Sequence, residues 1–155
     1  LPLSGWTTEK QFPFRYDFPD VFSEEFEANV DRAAREQVEE LSDDPRLIGW
    51  FLGNEPRWAR DFGALQSWPE MVLSDSEPSA TRQKLMDLLE ADPDREEDIK
   101  EEFLFLCAEK YFQTVTRAVR RHDPNHLVLG IRFAGRPEDR WAELSSIFDV
   151  FSINI

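Results

Sequence analysis

Apolar residues recur at steps of three and four in the stretch that follows Ser23, where Phe26, Val30, Ala33, Ala34, Val38 and Leu41 would line one face of a helix. Ser23 supplies an N-cap, Glu24 and Glu25 sit against the positive end of the helix dipole, and Asp43-Asp44-Pro45 ends the run. A second such face, through Ile99, Phe103, Leu106, Cys107, Tyr111, Val115 and Val119, predicts a long helix between Asp92-Pro93 and Asp123-Pro124. Shorter helices are expected near 79–90 and 137–145. Three runs lack the helical period. RLIGWFLG at 46–53, LVLGIRF at 127–133 and FDVFSINI at 148–155 are short, apolar and bounded by turn residues, and they read as strands. Residues 1–20 hold three prolines and no period and read as irregular, and 56–78 read as a long loop carrying Trp58, Phe62 and Trp68.

Helices alternating with strands imply parallel strands joined by right-handed crossovers. Two helix-to-strand junctions share a phrase, DPRLIGWFLG at 44–53 and DPNHLVLGIRF at 123–133, which suggests a repeated unit. Alternation along the strands then sorts their side chains. Ile48, Trp50 and Leu52 share one face of the first; Leu127, Leu129, Ile131 and Phe133 one face of the second; Phe151, Ile153 and Ile155 one face of the third. The opposite faces carry Gly49, Phe51, Gly53 and Glu55, then Val128, Gly130, Arg132 and Ala134, then Val150, Ser152 and Asn154.

A bulky face in every strand suits packing under helices, and a face of small and polar residues suits the constricted inside of a closed barrel. The predicted fold is therefore α/β, part of a (β/α)8 TIM barrel, with an open doubly wound sheet as the second choice. Phe51, Val128 and Val150 would face the barrel interior. Glu55, Arg132 and Asn154 would converge at the carboxyl ends of neighbouring strands, where barrel enzymes place their active sites. A complete barrel takes about 250 residues. The 155 residues here, with three visible strands and a last residue inside a strand, are expected to be a middle section, incomplete at both ends.

Charge and composition remove several alternatives. Eighteen basic against 32 acidic residues give a net charge of −14, a field that repels a phosphate backbone, so no nucleic-acid partner is expected. The acids cluster in 23–44 and 87–102, as the solvated faces of the two main helices. No apolar run approaches the roughly 18–20 residues that span a bilayer, and 1–20 lack a basic stretch followed by an apolar core, which predicts a soluble chain with no membrane partner. One cysteine, Cys107, forms no internal disulfide and sits on an apolar helical face as an inert core residue. His122 and His126 flank the Asp-Pro turn and read as capping or surface residues. There is no phosphate loop, nucleophile elbow or dinucleotide fingerprint, and no cofactor or metal is expected.

The strand ending in Glu55 carries the candidate chemistry. Cleaving a glycosidic bond needs one carboxylic acid to protonate the departing oxygen and a second carboxylate about 5–5.5 Å away in retaining enzymes. LIGWFLGNEPRW, residues 47–58, resembles the acid/base segment of the retaining glycoside hydrolases that share a (β/α)8 barrel, the clan that contains β-galactosidases, agarases, mannanases and cellulases. The matching core is Asn54-Glu55-Pro56 behind an apolar, glycine-containing strand. FPDVFSEEFE before it and HDPNHLVLGIRFAG after it resemble flanking segments of the agarase-like and β-galactosidase-like branches.

The resemblance implies a retaining hydrolase of β-glycosidic bonds whose fourth, fifth and sixth barrel strands lie in this chain. It makes Glu55 the general acid/base and Asn54 the partner of the sugar hydroxyl beside the anomeric carbon. The nucleophile would be a Glu at the end of the seventh strand, downstream of Ile155, so residues 1–155 alone are expected to be inactive. Strict alternation cannot aim Asn54 and Glu55 inward together; a strand-end twist or bulge could. Asn154 is a candidate substrate contact. Trp58 is another, through stacking on a sugar ring, or else an anchor of its loop, and so is Trp68. Arg132 is open between a contact to Glu55 or the substrate and a structural ion pair. The expected partner is an oligosaccharide or polysaccharide, for which secretion or a periplasmic location would be suitable. A barrel that binds carbohydrate without cleaving it is the alternative, and an acidic interaction module a third reading.

Overall fold

The computed structural model describes residues 19–55 and 67–155. In chain order the elements are α1 (Glu24–Val38), β1 (Gly49–Asn54), α2 (Trp68–Ser74), α3 (Ala80–Ala91), α4 (Glu96–His122), β2 (Leu127–Ala134), α5 (Asp139–Leu144) and β3 (Ser152–Asn154). The three strands form one parallel sheet in the order β1-β2-β3. The α/β alternation and the parallel pairing follow the prediction.

Each main helix begins and ends where its sequence dictates. Ser23 Oγ accepts from the Phe26 amide at 3.0 Å to cap α1. The first turn of α4 carries Glu96, Glu97 and Asp98 and its last turn Arg120, Arg121 and His122, charges that complement the dipole at both ends. Phe26, Val30, Ala34 and Val38 of α1 are fully buried, together with Cys107, Phe112, Val115 and Val119 of α4. They meet Trp50, Leu52, Val128, Ile131 and Phe133 of the sheet in one core. Burial pushes the Cys107 thiol far above its ordinary range, so the thiolate is suppressed.

The predicted loop at 56–78 needs correction. Residues Trp68–Ser74 are helical, opened by a capping box in which Ser67 and Glu70 satisfy each other's backbone amides, with proline in the first turn. That signal, Ser67-Trp68-Pro69-Glu70, is present in the sequence. Trp68 packs against the core and thereby anchors α2. Asp20 ties down α3, its carboxylate accepting from the Ala80 amide at 2.9 Å, the Thr81 amide at 2.7 Å and the Thr81 hydroxyl at 2.6 Å.

The second strand departs from simple alternation. Val128, expected on the barrel interior, is fully buried beside Trp50 on the helix side, whereas Leu127 is 44% exposed. The cause is a pair of irregularities. Trp50 pairs with Val128 but Phe51 pairs with Gly130, which leaves Leu129 as an extra residue, and Leu52 is the extra residue one step later on β1. Gly130 sits at φ +70, and a Cβ there would lie 2.3 Å from the Phe148 ring. Ile131 and Phe133 therefore return to the buried face, while Arg132 stays on the other, as predicted. Ile48 lies outside β1 and is 74% exposed. The third strand is shorter than 148–155 and leaves Phe151, Ile153 and Ile155 exposed.

At the amino ends of the strands the two Asp-Pro junctions lock together. Asp123, completely buried, accepts from Trp50 Nε1 at 2.7 Å and from the Asn125 and His126 amides, and meets His126 Nδ1 at 2.7 Å. His126 Nε2 lies 3.0 Å from the Asp44 carbonyl, and Asn125 Nδ2 donates to the Ser42 carbonyl. Burial raises the Asp123 pKa, but donors from Trp50, His126 and two amides outweigh it and the net shift is downward. His126 is shifted upward, mainly by its bond to Asp123. Both ring nitrogens face acceptors, which suits the imidazolium. His122 is engaged elsewhere, with Nε2 3.2 Å from Asp31, so the two histidines are structural groups at the helix end.

Candidate active site

The opposite end of the sheet gathers the predicted polar residues. Asn54 closes β1 in register with Arg132 on β2, and Ala134 of β2 pairs with Asn154 of β3. Glu55, one residue past β1, donates its amide to the Arg132 carbonyl at 2.8 Å and so continues the ladder by one step. Its backbone then turns sharply to φ 48, in the left-handed region that a residue with a Cβ rarely adopts. This turn resolves the alternation conflict at the strand end. Both neighbouring side chains reach the same atom: Asn154 Nδ2 donates to Asn54 Oδ1 at 3.1 Å and to Glu55 Oε1 at 2.7 Å.

Arg132 is arranged differently. Its guanidinium carbon stands 4.7 Å from the centroid of the Phe51 ring on the adjacent strand, a cation–π stack across the open face of the sheet. Its Nε is buried and has no hydrogen-bond partner among the described residues. Among the described residues Arg132 bonds neither Glu55 nor an acidic partner, which leaves substrate contact as its expected role. Phe51 was placed on that face by alternation, but its service as a platform for Arg132 depends on the register between strands, which no single strand's sequence discloses. Ser152, in register with Arg132, bonds the Leu129 carbonyl at 3.4 Å. Trp58 lies outside the described residues. Among the described residues no group of three metal-ligating side chains comes together.

Two carboxamides and a carboxylate at the carboxyl ends of β1 and β3 form a polar, solvent-reached cluster suited to a polyhydroxylated ligand. Solved structures share this fold. An exo-β-agarase superposes with a TM-score of 0.77 at 25% identity over 99% of this chain, and the agarase AgWH50C with 0.75 at 25% identity over 99%. The protein PfGH50B matches 88% of the chain with 0.69 at 23% identity, a likeness of fold. The chain folds like a quarter of an agarase. It spans 26% of the length of each of the first two and 25% of the third. No family profile and no curated protein sequence matches it.

The Asp20 tie to α3 is a link that sequence patterning alone did not disclose. Asp20 and Thr81 are 61 residues apart, and only the folded arrangement brings the carboxylate to the start of α3.

Proposed function

We propose that residues 1–155 are a section of a (β/α)8 glycoside hydrolase that cleaves β-galactosidic bonds in an agarose-type polysaccharide by a retaining mechanism. In this reading β1, β2 and β3 are the fourth, fifth and sixth barrel strands, and Glu55 is the general acid/base. The observation that carries it is the meeting of Asn54, Glu55 and Asn154 across β2, at the carboxyl ends of β1 and β3, in a chain that superposes on an exo-β-agarase over 99% of its length.

Protonated Glu55 gives its proton to the glycosidic oxygen as the bond from that oxygen to the anomeric carbon breaks and its electron pair moves to the oxygen. A second carboxylate, from a barrel strand outside residues 1–155, bonds to the anomeric carbon. Glu55, now ionised, takes a proton from water, whose oxygen displaces that carboxylate and restores both groups. Asn54 binds the hydroxyl beside the anomeric carbon. Arg132, on its Phe51 platform, places its positive charge beside the sugar, and Trp58 stacks on a sugar ring.

Two displacements invert the anomeric carbon twice, so the first product formed keeps the β configuration. Proton NMR of early hydrolysis of agaro-oligosaccharides by the full-length protein is expected to record the β anomer first. An α anomer first would mean a single displacement by water and would contradict the mechanism. Saturable binding without hydrolysis would instead favour a carbohydrate-binding barrel.

A further inference from the structure

We infer that Asn154 is a positioning residue for the acid/base pair, fixing the transferable proton of Glu55 on Oε2 and turning the Asn54 amide nitrogen toward the sugar. The inference rests on the proposed role of Glu55 and assigns Asn154 a function other than substrate contact. The argument is one of donor and acceptor counts. An ionised carboxylate only accepts, so the Asn154 group 2.7 Å from Glu55 Oε1 has to be its amide nitrogen. The same nitrogen has two protons and lies 3.1 Å from Asn54, so the second proton obliges Asn54 to present its Oδ1. A flipped Asn154 would set its carbonyl oxygen against the carboxylate and leave the contact repulsive.

Two consequences follow for catalysis. With Oε1 already accepting from Asn154, the acid form of Glu55 carries its proton on Oε2 and donates from that oxygen. With its Oδ1 occupied, Asn54 turns Nδ2 outward, where no described residue takes it up, so it engages the sugar hydroxyl as a donor. Both N–H groups of Asn154 are spent inside the cluster, and its carbonyl is turned from Glu55. The backbone supports this placement, since the Asn154 carbonyl accepts from the Gly135 amide at 3.0 Å and Ala134 is its partner in the sheet.

The test compares leaving groups in the full-length protein, with kcat/KM measured on agaro-oligosaccharides and on dinitrophenyl β-galactoside. An activated aryl group departs with little need of a proton, whereas a sugar does not. Asn154→Ala is expected to lower kcat/KM on the oligosaccharide by about tenfold or more and on the aryl galactoside by clearly less. Asn154→Leu, close in shape but uncharged and without the N–H donors, is expected to do the same, which guards against a folding defect in the alanine variant. Equal loss on both substrates would make Asn154 a sugar ligand and overturn the inference, as would no loss on either. Glu55→Gln in parallel separates the two claims. If it shows the leaving-group dependence and the Asn154 variants do not, only this inference fails; if it shows none, the acid/base reading fails with it.

Discussion

Replacing Glu55 with glutamine in the full-length protein will lower kcat/KM for agaro-oligosaccharides by about 10²- to 10⁴-fold, the usual contribution of a general acid, and for dinitrophenyl β-galactoside by far less. Glutamine keeps the shape and can still meet Asn154, so the local fold is retained while the transferable proton is lost. The departing sugar oxygen is a poor leaving group and needs that proton. The aryl oxygen does not. Deglycosylation also loses its base, so kcat on the aryl substrate falls while KM falls with it, as the covalent intermediate accumulates. A uniform loss on both substrates would assign Glu55 to sugar binding and remove it from proton transfer.

The second large effect lies at the other end of the sheet. Asp123→Ala removes the fully buried acceptor of Trp50 Nε1, of two amides and of His126. Breaking such a buried, charged network leaves its donors unpaired and costs about 3–5 kcal/mol. The midpoint of denaturation of the full-length protein is expected to fall accordingly, with Asp123→Asn intermediate because one side-chain oxygen still accepts. An unchanged midpoint would mean that the clamp between the Asp-Pro junctions contributes nothing. The pair also gives stability a window in pH. His126, raised above its ordinary 6.5, contributes fully below that value and loses its contribution as pH rises through the raised value. Asp123, lowered from 3.8, contributes above that value and loses its contribution as pH falls through the lowered one.

Much of this arrangement is visible in the amino-acid order, and the exceptions have physical causes. The faces of α1 and α4 follow from period alone, because each helix buries one stripe against one sheet. Trp50, Leu52, Ile131 and Phe133 fall where alternation puts them. Val128 does not, because Gly130 admits a left-handed residue and a bulge, and one extra residue moves every side chain on one side of it to the other face. The capping box at Ser67 is present in the amino-acid order, but α2 is only seven residues long and lies in a proline-containing stretch that reads as loop. In the candidate site, Asn54, Glu55 and Asn154 could be aligned from strand ends, whereas the stack of Arg132 on Phe51 depends on the register between β1 and β2. The Asp20 tie to α3 and the Asp123 clamp join residues dozens of positions apart, and no local pattern encodes such partners. The pairing of both histidines with acceptors was likewise beyond sequence, although their structural placement was not.

The central claim is that Glu55 serves as acid and then base on a covalent glycosyl intermediate, and azide rescue of Glu55→Ala measures it most directly. Azide needs no base to attack and fits the space that the carboxylate vacates. In the full-length variant acting on dinitrophenyl β-galactoside, added azide is expected to restore turnover and to yield the β-galactosyl azide, the stereochemistry of a second displacement. Turnover indifferent to azide, or an α-galactosyl azide as product, would contradict the account.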